Sequence, residues 1–321
     1  MLTLHNNRNR KYAVVFGGDY TQVGPACVTV LSLKTNSPEF YKNSDIYFFL
    51  SGTPDAVVVQ ILNLLEINLF QVTGDLDPNA SYQTKCFGPG ILAKFETLRL
   101  SSDYRRVIWS DSDQLFLGEI IGIVESLTVT LAIVDGGGGT IFDNFIDPPH
   151  PQVSSKFSLQ PLDKYFKRNI VSNFIILNGC QRHLYELARN LFFFQQPNLA
   201  SGDQGVWAQL MASFIGTWTL LPHEVYSCHP KDYEASGGTS SLNQFAHGES
   251  ERMVKICHSY GRPKFWEGIA WHLYEPYYND WLEIGGFAFK VKFKRLTVLE
   301  RLLFTAKSNF KKWLGKTKHF R

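Results

Sequence analysis

The chain has 321 residues, 44% hydrophobic and 14% aromatic, enough to bury the core of one large α/β domain or two small ones. Its net charge of +3 is unevenly placed: residues 290–321 hold eleven Lys or Arg against the single acid Glu300, a charge of +10, which leaves about −7 on residues 1–289. An acidic body excludes nucleic acid as its main ligand, and five scattered cysteines without a C-x-x-C pair exclude a zinc ribbon or a disulfide framework.

Residues 1–11 are polar and lack an apolar h-region, and no apolar run approaches the ~18 residues of a membrane span. These features lead us to expect a cytoplasmic protein. Two parts are expected: a catalytic-sized body over 1–289 and a basic segment over 290–321.

Tyr12–Phe16 reads as a buried strand that ends in Gly17-Gly18-Asp19, where backbone can approach a ligand closely. Val23–Leu33 reads as a helix with Val23, Cys27, Val30 and Leu31 on one face. A strand over Asp45–Leu50 and a helix over Asp55–Leu65 follow. This strand–turn–helix–strand order is the grammar of a parallel sheet with crossover helices, whose strand ends gather ligands. Asp19 is therefore either a contact to a nucleotide base or ribose, or the N-cap of the next helix.

Ile91–Leu100 reads as a helix carrying Lys94. After it, an apolar strand runs into Asp111-Ser112-Asp113. Two carboxylates at a strand end can hold one hard cation against a diphosphate; the alternative is an acidic turn. Val129–Asp135 is another strand ending in an acid, and it opens into four glycines, read as a mobile loop beside the site. Asn169–Asn178 reads as a strand and Arg182–Phe194 as a helix. Asp203 and Gln204 sit in the first turn of a further helix. Lys231–Glu251 reads as a Gly/Ser-rich surface loop. In His258-Ser-Tyr-Gly261-Arg-Pro-Lys264-Phe-Trp266, one short stretch holds an imidazole, a close-approach glycine and a cation.

In the tail, Leu296, Leu299, Leu303, Ala306, Phe310 and Trp313 recur in steps of three and four, with lysines on the other faces. This is the pattern of a basic amphipathic helix. It suits an anionic membrane surface over residues 295–318, the alternative being an apolar stripe packed on the body.

Taken in order, these motifs resemble glycosyltransferase family 8, which includes the glycogenins and bacterial lipo-oligosaccharide galactosyl- and glucosyltransferases. The resemblance covers about Tyr12 to Trp271. It rests on H-x-x-G-x-x-K-x-W at His258, Gly261, Lys264 and Trp266; on Asp111-x-Asp113; on Asp203-Gln204-Gly205; on Lys94 before the Asp-x-Asp strand; and on Asp135 after the next strand. Two positions depart. The family's Asn-x-Gly appears as Val171-Ser172-Asn173, and its uracil-stacking tyrosine falls at Gln22, with Tyr20 as a nearby substitute.

The resemblance implies a single GT-A domain, Rossmann-like, with a mainly parallel sheet. It also implies retaining transfer of a hexose, glucose or galactose, from a UDP-sugar to a glycan or lipid-linked acceptor in surface polysaccharide synthesis. By the same resemblance Asp111, Asp113 and His258 would hold Mn²⁺ (or Mg²⁺). Gly18, Asp19, Tyr20, Lys94, Asp111, Ser112, Asp135, Ser172, Gly261 and Lys264 would bind the donor, and Asp203 and Gln204 would lie at the anomeric carbon. A non-catalytic subunit of this fold and a self-glycosylating primer of the glycogenin kind are the alternatives.

Overall fold

Strand β1 (Tyr12–Gly18) sends Tyr12, Val14 and Phe16 into one apolar core and Ala13 and Val15 into another. Alternation with apolar residues on both sides is what a strand covered on two faces requires. The same holds for β2 (Ser44–Ser51), where Ile46 and Phe48 face one core and Tyr47 and Phe49 the other. Each such side chain contributes roughly 1.5–3 kcal/mol by burial. The structure is a computed structural model that describes residues 10–136, 138–147, 156–157, 159, 168–236, 239–240 and 252–289.

The remaining strands of the central sheet are β3 (Ile67–Val72), β4 (Arg106–Ser110), β6 (Leu131–Asp135), β7 (Ile170–Asn178) and β8 (Trp218–Leu221). Their order is β3-β2-β1-β4-β7-β6-β8. Pairs β3–β2, β2–β1, β1–β4 and β6–β8 are parallel, whereas β7 runs antiparallel to both β4 and β6. The mainly parallel sheet expected from the sequence is therefore present, with one reversed strand in it.

That arrangement builds one ligand-bearing edge. The register Val15↔Trp109 puts the carboxyl ends of β1 and β4 side by side, so Gly18-Asp19 and Asp111 emerge together. The reversed β7 starts where β4 ends, and β6 finishes at Asp135 opposite Ile170. A short pair beside the sheet joins β5 (Gln114–Phe116) to β11 (Ile256–His258) with Gln114 opposite His258.

Two expectations need correction. Ile91–Leu100 is not one α-helix: a 3-10 helix spans Pro89–Phe95 and an α-helix spans Glu96–Leu100. Pro89 starts the tighter turn, and Gly90 lies so close to Gly18 that a Cβ there would sit 2.5 Å from the Gly18 Cα. Residues 231–251 are not wholly loop. Pro230–Ala235 is a helix capped by His229, and β9 (Thr239–Ser240) pairs with β10 (Arg252–Met253). The segment from Trp271 onward is a further helix, Trp271–Glu283. It buries Tyr274, Tyr278 and Trp281 at helical spacing against the helix Val23–Asn36. Among the described residues no helix is long and apolar enough to cross a membrane. The basic segment 290–321 lies outside the described residues, as does part of the glycine run, Gly137.

Candidate active site

The turn after β4 is fixed before any ligand arrives. The indole Nε1 of Trp109 donates to Asp111 Oδ1 at 2.6 Å, and the Asp111 N–H donates to the carbonyl of Asn173 at 2.9 Å. From the helix Val23–Asn36, Thr29 Oγ1 lies 3.0 Å from the carbonyl of Ser112 and 2.8 Å from that of Gln114. Ser110 Oγ donates to Gln114 Oε1 at 2.7 Å. These bonds fix the turn that carries the two carboxylates, although Gln114 Nε2 is buried without a hydrogen-bond partner among the described residues.

The β5–β11 pairing carries His258 to them. Ser259 N–H donates to the carbonyl of Asp113 at 3.0 Å, and His258 Nε2 lies 3.2 Å from Asp113 Oδ1 and 3.9 Å from Asp111 Oδ2. One donor atom from each of Asp111, Asp113 and His258 falls within 4.8 Å of the others. Two carboxylate oxygens and one imidazole nitrogen at this separation are compatible with a divalent metal ion. Behind the imidazole, Nδ1 lies 3.1 Å from Ser227 Oγ, which accepts from Asn173 Nδ2 at 3.0 Å.

Lys264 donates to Asp113 Oδ2 and, at 2.9 Å, to the carbonyl of Ser259. Burial works against ionisation of Asp113, but His258 and Lys264 beside it outweigh burial and hold its carboxyl well below the usual range. The turn between His258 and Lys264 requires Gly261, whose φ is +73°.

A second cation lies deeper. Lys94 Nζ donates to the carbonyl and to Oγ of Ser172, both at 3.1 Å. It also lies 3.2 Å from Asp111 Oδ1 and 3.4 Å from Asp203 Oδ1, over the Trp109 ring at 5.5 Å. Burial pushes the Asp203 carboxyl up, with Lys94 pulling the other way, and Asp203 Oδ2 is buried without a hydrogen-bond partner among the described residues. Gln204, half-buried, follows it as the first residue of the helix Gln204–Ser213.

Some of these groups, Lys94, Trp109, Asp111, Asp113 and Lys264, border a cavity of about 430 Å³. Gly17, Gly18 and Gly90 line it on one side; Lys94, Asp111, Ser112, Asp113 and Lys264 line it on another. Asp19 lines it while also capping the short helix Tyr20–Gln22: its Oδ1 accepts from Thr21 N at 2.8 Å and from Thr21 Oγ1 at 2.6 Å. Both readings of Asp19 are thus compatible with its place. Gln22 lines the cavity too, and its Oε1 accepts from Ser112 Oγ at 2.7 Å.

Among the sequence-derived positions, Tyr20, Asp135, Ser172, Asp203, Gln204, His258 and Gly261 do not line the cavity; Ser172 and Asp203 touch its wall through Lys94, and His258 through Asp113. Tyr20 is turned away from the cavity and stacks on Phe287, with ring centroids 6.3 Å apart; the helix geometry that places Gln22 inward places Tyr20 outward. Asp135 stands at the end of β6 in an ion pair with Arg168 at 2.6 Å. Residues that the sequence did not single out are Trp109, Thr21, Ile91, Arg262 and Ser227. Trp109 and Arg262 adjoin or lie within motifs already noticed, while nothing in the sequence marks Ser227.

No protein-family model matches the chain, and no curated protein sequence does. The fold is nevertheless that of solved structures. One is galactosyltransferase LgtC, a family 8 enzyme, in complex with donor and acceptor sugar analogues; it is 14% identical, with a TM-score of 0.57 over 86% of this chain and 97% of that one. A second is the WbbM bifunctional glycosyltransferase, 14% identical, TM-score 0.52, over 94% of this chain and 52% of that one. A third is the glycosyltransferase GlyE of Streptococcus pneumoniae TIGR4, 18% identical, TM-score 0.50, over 86% and 64%. The GT-A fold implied by the motifs is the fold observed.

Proposed function

We propose that the chain is a glycosyltransferase that moves a hexose, glucose or galactose, from a UDP-sugar to a glycan or lipid-linked acceptor with retention of configuration. The observation that carries this reading is the convergence of Asp111, Asp113, Lys94 and Lys264 at one cavity on a GT-A sheet edge, with His258 against Asp113. Three separated sequence motifs have no structural reason to share that edge, and a nucleoside diphosphate needs what they jointly offer.

Asp111, Asp113 and His258 would hold Mn²⁺, or Mg²⁺ in its place, and that ion supplies charge neutralisation to the diphosphate when bound. The chain's own residues do the rest. Gly17, Gly18 and Gly90 form a backbone wall of the cavity, packed so closely on Ala93, Gln22 and each other that a Cβ has no place. Lys264 exchanges its contact with Asp113 for a phosphate oxygen and so opposes the charge that builds on departing UDP. Lys94 holds Asp111 and Asp203 in register. Asp203 and Gln204 face the sugar, with the unpartnered Asp203 Oδ2 available to a hydroxyl. In the transfer the bond from the anomeric carbon to the β-phosphate oxygen breaks and a bond to the acceptor oxygen forms on the same face. The acceptor's proton passes to the departing phosphate oxygen. Gln204 is a poor nucleophile, which favours this front-face course over a covalent intermediate.

The basic segment 295–318 fits an anionic membrane surface, and with it we place the protein on the inner face of a membrane, acting in surface polysaccharide synthesis. A panel of UDP-sugars, read by thermal shift with and without Mn²⁺, tests the donor assignment. A metal-dependent shift with UDP-glucose or UDP-galactose supports it, and no shift with any UDP-sugar overturns it.

A further inference from the structure

We infer that Ser227 and Asn173 are positioning residues that hold His258 in the tautomer and orientation needed to bind a divalent cation. The inference rests on reading Asp111, Asp113 and His258 as the metal-binding set. An imidazole can ligate through Nε2 only when its proton resides on Nδ1, and that N–H then needs an acceptor. Ser227 Oγ, 3.1 Å from Nδ1, is the acceptor in place. It is fully buried, and its main-chain N–H is tied to the carbonyl of His223 at 2.8 Å, so it cannot wander.

Once Ser227 Oγ accepts from His258, its own hydroxyl proton must go somewhere. Asn173 stands on the far side, 1% exposed, with its amide against Ser227 Oγ at 3.0 Å. Its Oδ1 is buried with no partner among the described residues. A half-turn of that amide brings Oδ1 to Ser227 and completes a directed chain: His258 Nδ1–H to Ser227 Oγ, Ser227 O–H to Asn173 Oδ1. That turn pairs Oδ1 with Ser227 and moves Nδ2 to the place Oδ1 leaves, the two ends of a carboxamide being distinguished only by the network around them.

Asn173 also reaches the other side of the set. Its main-chain carbonyl accepts the N–H of Asp111 at 2.9 Å. One residue at the start of the reversed strand β7 thus holds the backbone of one carboxylate ligand and, through Ser227, the ring of the imidazole ligand.

Calorimetric titration of MnCl₂ into the full chain tests this, using wild type, Ser227→Ala, Asn173→Leu and Asn173→Asp. Loss of such an outer partner weakens metal binding about 10- to 100-fold, and we expect that loss in Ser227→Ala and Asn173→Leu. Asn173→Asp, which can only accept, is expected to bind Mn²⁺ at least as tightly as wild type. Thermal melts in EDTA report folding separately; if Asn173→Leu does not fold, Ser227→Ala, which removes one oxygen, carries the test. Wild-type affinity in Ser227→Ala, or loss in Asn173→Asp equal to that in Asn173→Leu, overturns this inference alone. Absence of Mn²⁺ binding by wild type overturns the metal-binding set and this inference with it.

Discussion

His258 Nε2 lies 3.2 Å from Asp113 Oδ1 although 145 residues separate the two in sequence. The contact is made by backbone: Gln114 pairs with His258 across β5 and β11, and Ser259 N–H bonds the Asp113 carbonyl. The candidate metal set is therefore a product of strand pairing, and its geometry is fixed by the fold without help from a bound ion.

Lys264 is placed to trade Asp113 for a phosphate. Losing a hydrogen bond to a charged group costs about 1.5–3 kcal/mol. Lys264→Ala is accordingly expected to weaken UDP at least about tenfold in calorimetry while leaving uridine, which has no phosphate, unchanged. An equal loss for both ligands would contradict this role.

Gln22 lines the cavity, at the position where the family 8 resemblance puts a base-stacking tyrosine. A base on an aromatic face is worth about 1–3 kcal/mol. Gln22→Tyr should therefore tighten UDP binding by about fivefold or more, at the expense of the Ser112 hydrogen bond. Unchanged affinity would mean that the base does not lie against residue 22.

Gly90 meets Gly18 with no room between them, since a Cβ would fall 2.5 Å from the Gly18 Cα and 2.9 Å from its carbonyl carbon. Backbone cannot yield as a flexible side chain can. Overpacking of this kind costs about 1–3 kcal/mol, so Gly90→Ala should lower the urea midpoint and enlarge the gap between β1 and the 3-10 helix Pro89–Phe95. An unchanged midpoint would contradict the close approach.

Residues 295–321 are expected to carry vesicle binding and not turnover. Each Lys or Arg close to an anionic surface contributes about 1 kcal/mol. Deleting the segment should release the protein from phosphatidylserine-containing vesicles and spare UDP-sugar hydrolysis. Retained vesicle binding would contradict the assignment.

Much of this architecture is legible in the residues themselves. Tyr12–Phe16, Asp45–Leu50 and the apolar run before Asp111 are strands because they are buried on two faces, and the turns that follow them carry the acids. Direction is not legible. Ile170–Asn178 is as apolar read forward as backward, so nothing local says that β7 is reversed. Short elements were also hidden: β8 is four residues long, and the polar composition of 231–251 masked the helix Pro230–Ala235. At the site, residues with their own chemistry, Asp111, Asp113, His258, Lys264 and Lys94, announced themselves by type and spacing. Ser227 did not, and Asn173 showed only as part of the departing Asn-x-Gly segment, because a serine or asparagine acquires its role only from what the fold sets beside it. Tyr20 misled for a related reason: two residues along a tight helix separate inward from outward.

The central claim is that Asp111, Asp113 and His258 serve a UDP-sugar donor. The most direct measurement is UDP release from UDP-glucose and UDP-galactose with and without Mn²⁺, for wild type and Asp113→Asn. Removing one preorganised electrostatic contact of this kind costs about 10²–10³ in rate. The account predicts Mn²⁺-dependent release by wild type, abolished by EDTA and reduced about 100-fold or more in Asp113→Asn. Release that is indifferent to Mn²⁺ and to Asp113, or no release from any UDP-sugar, would contradict it.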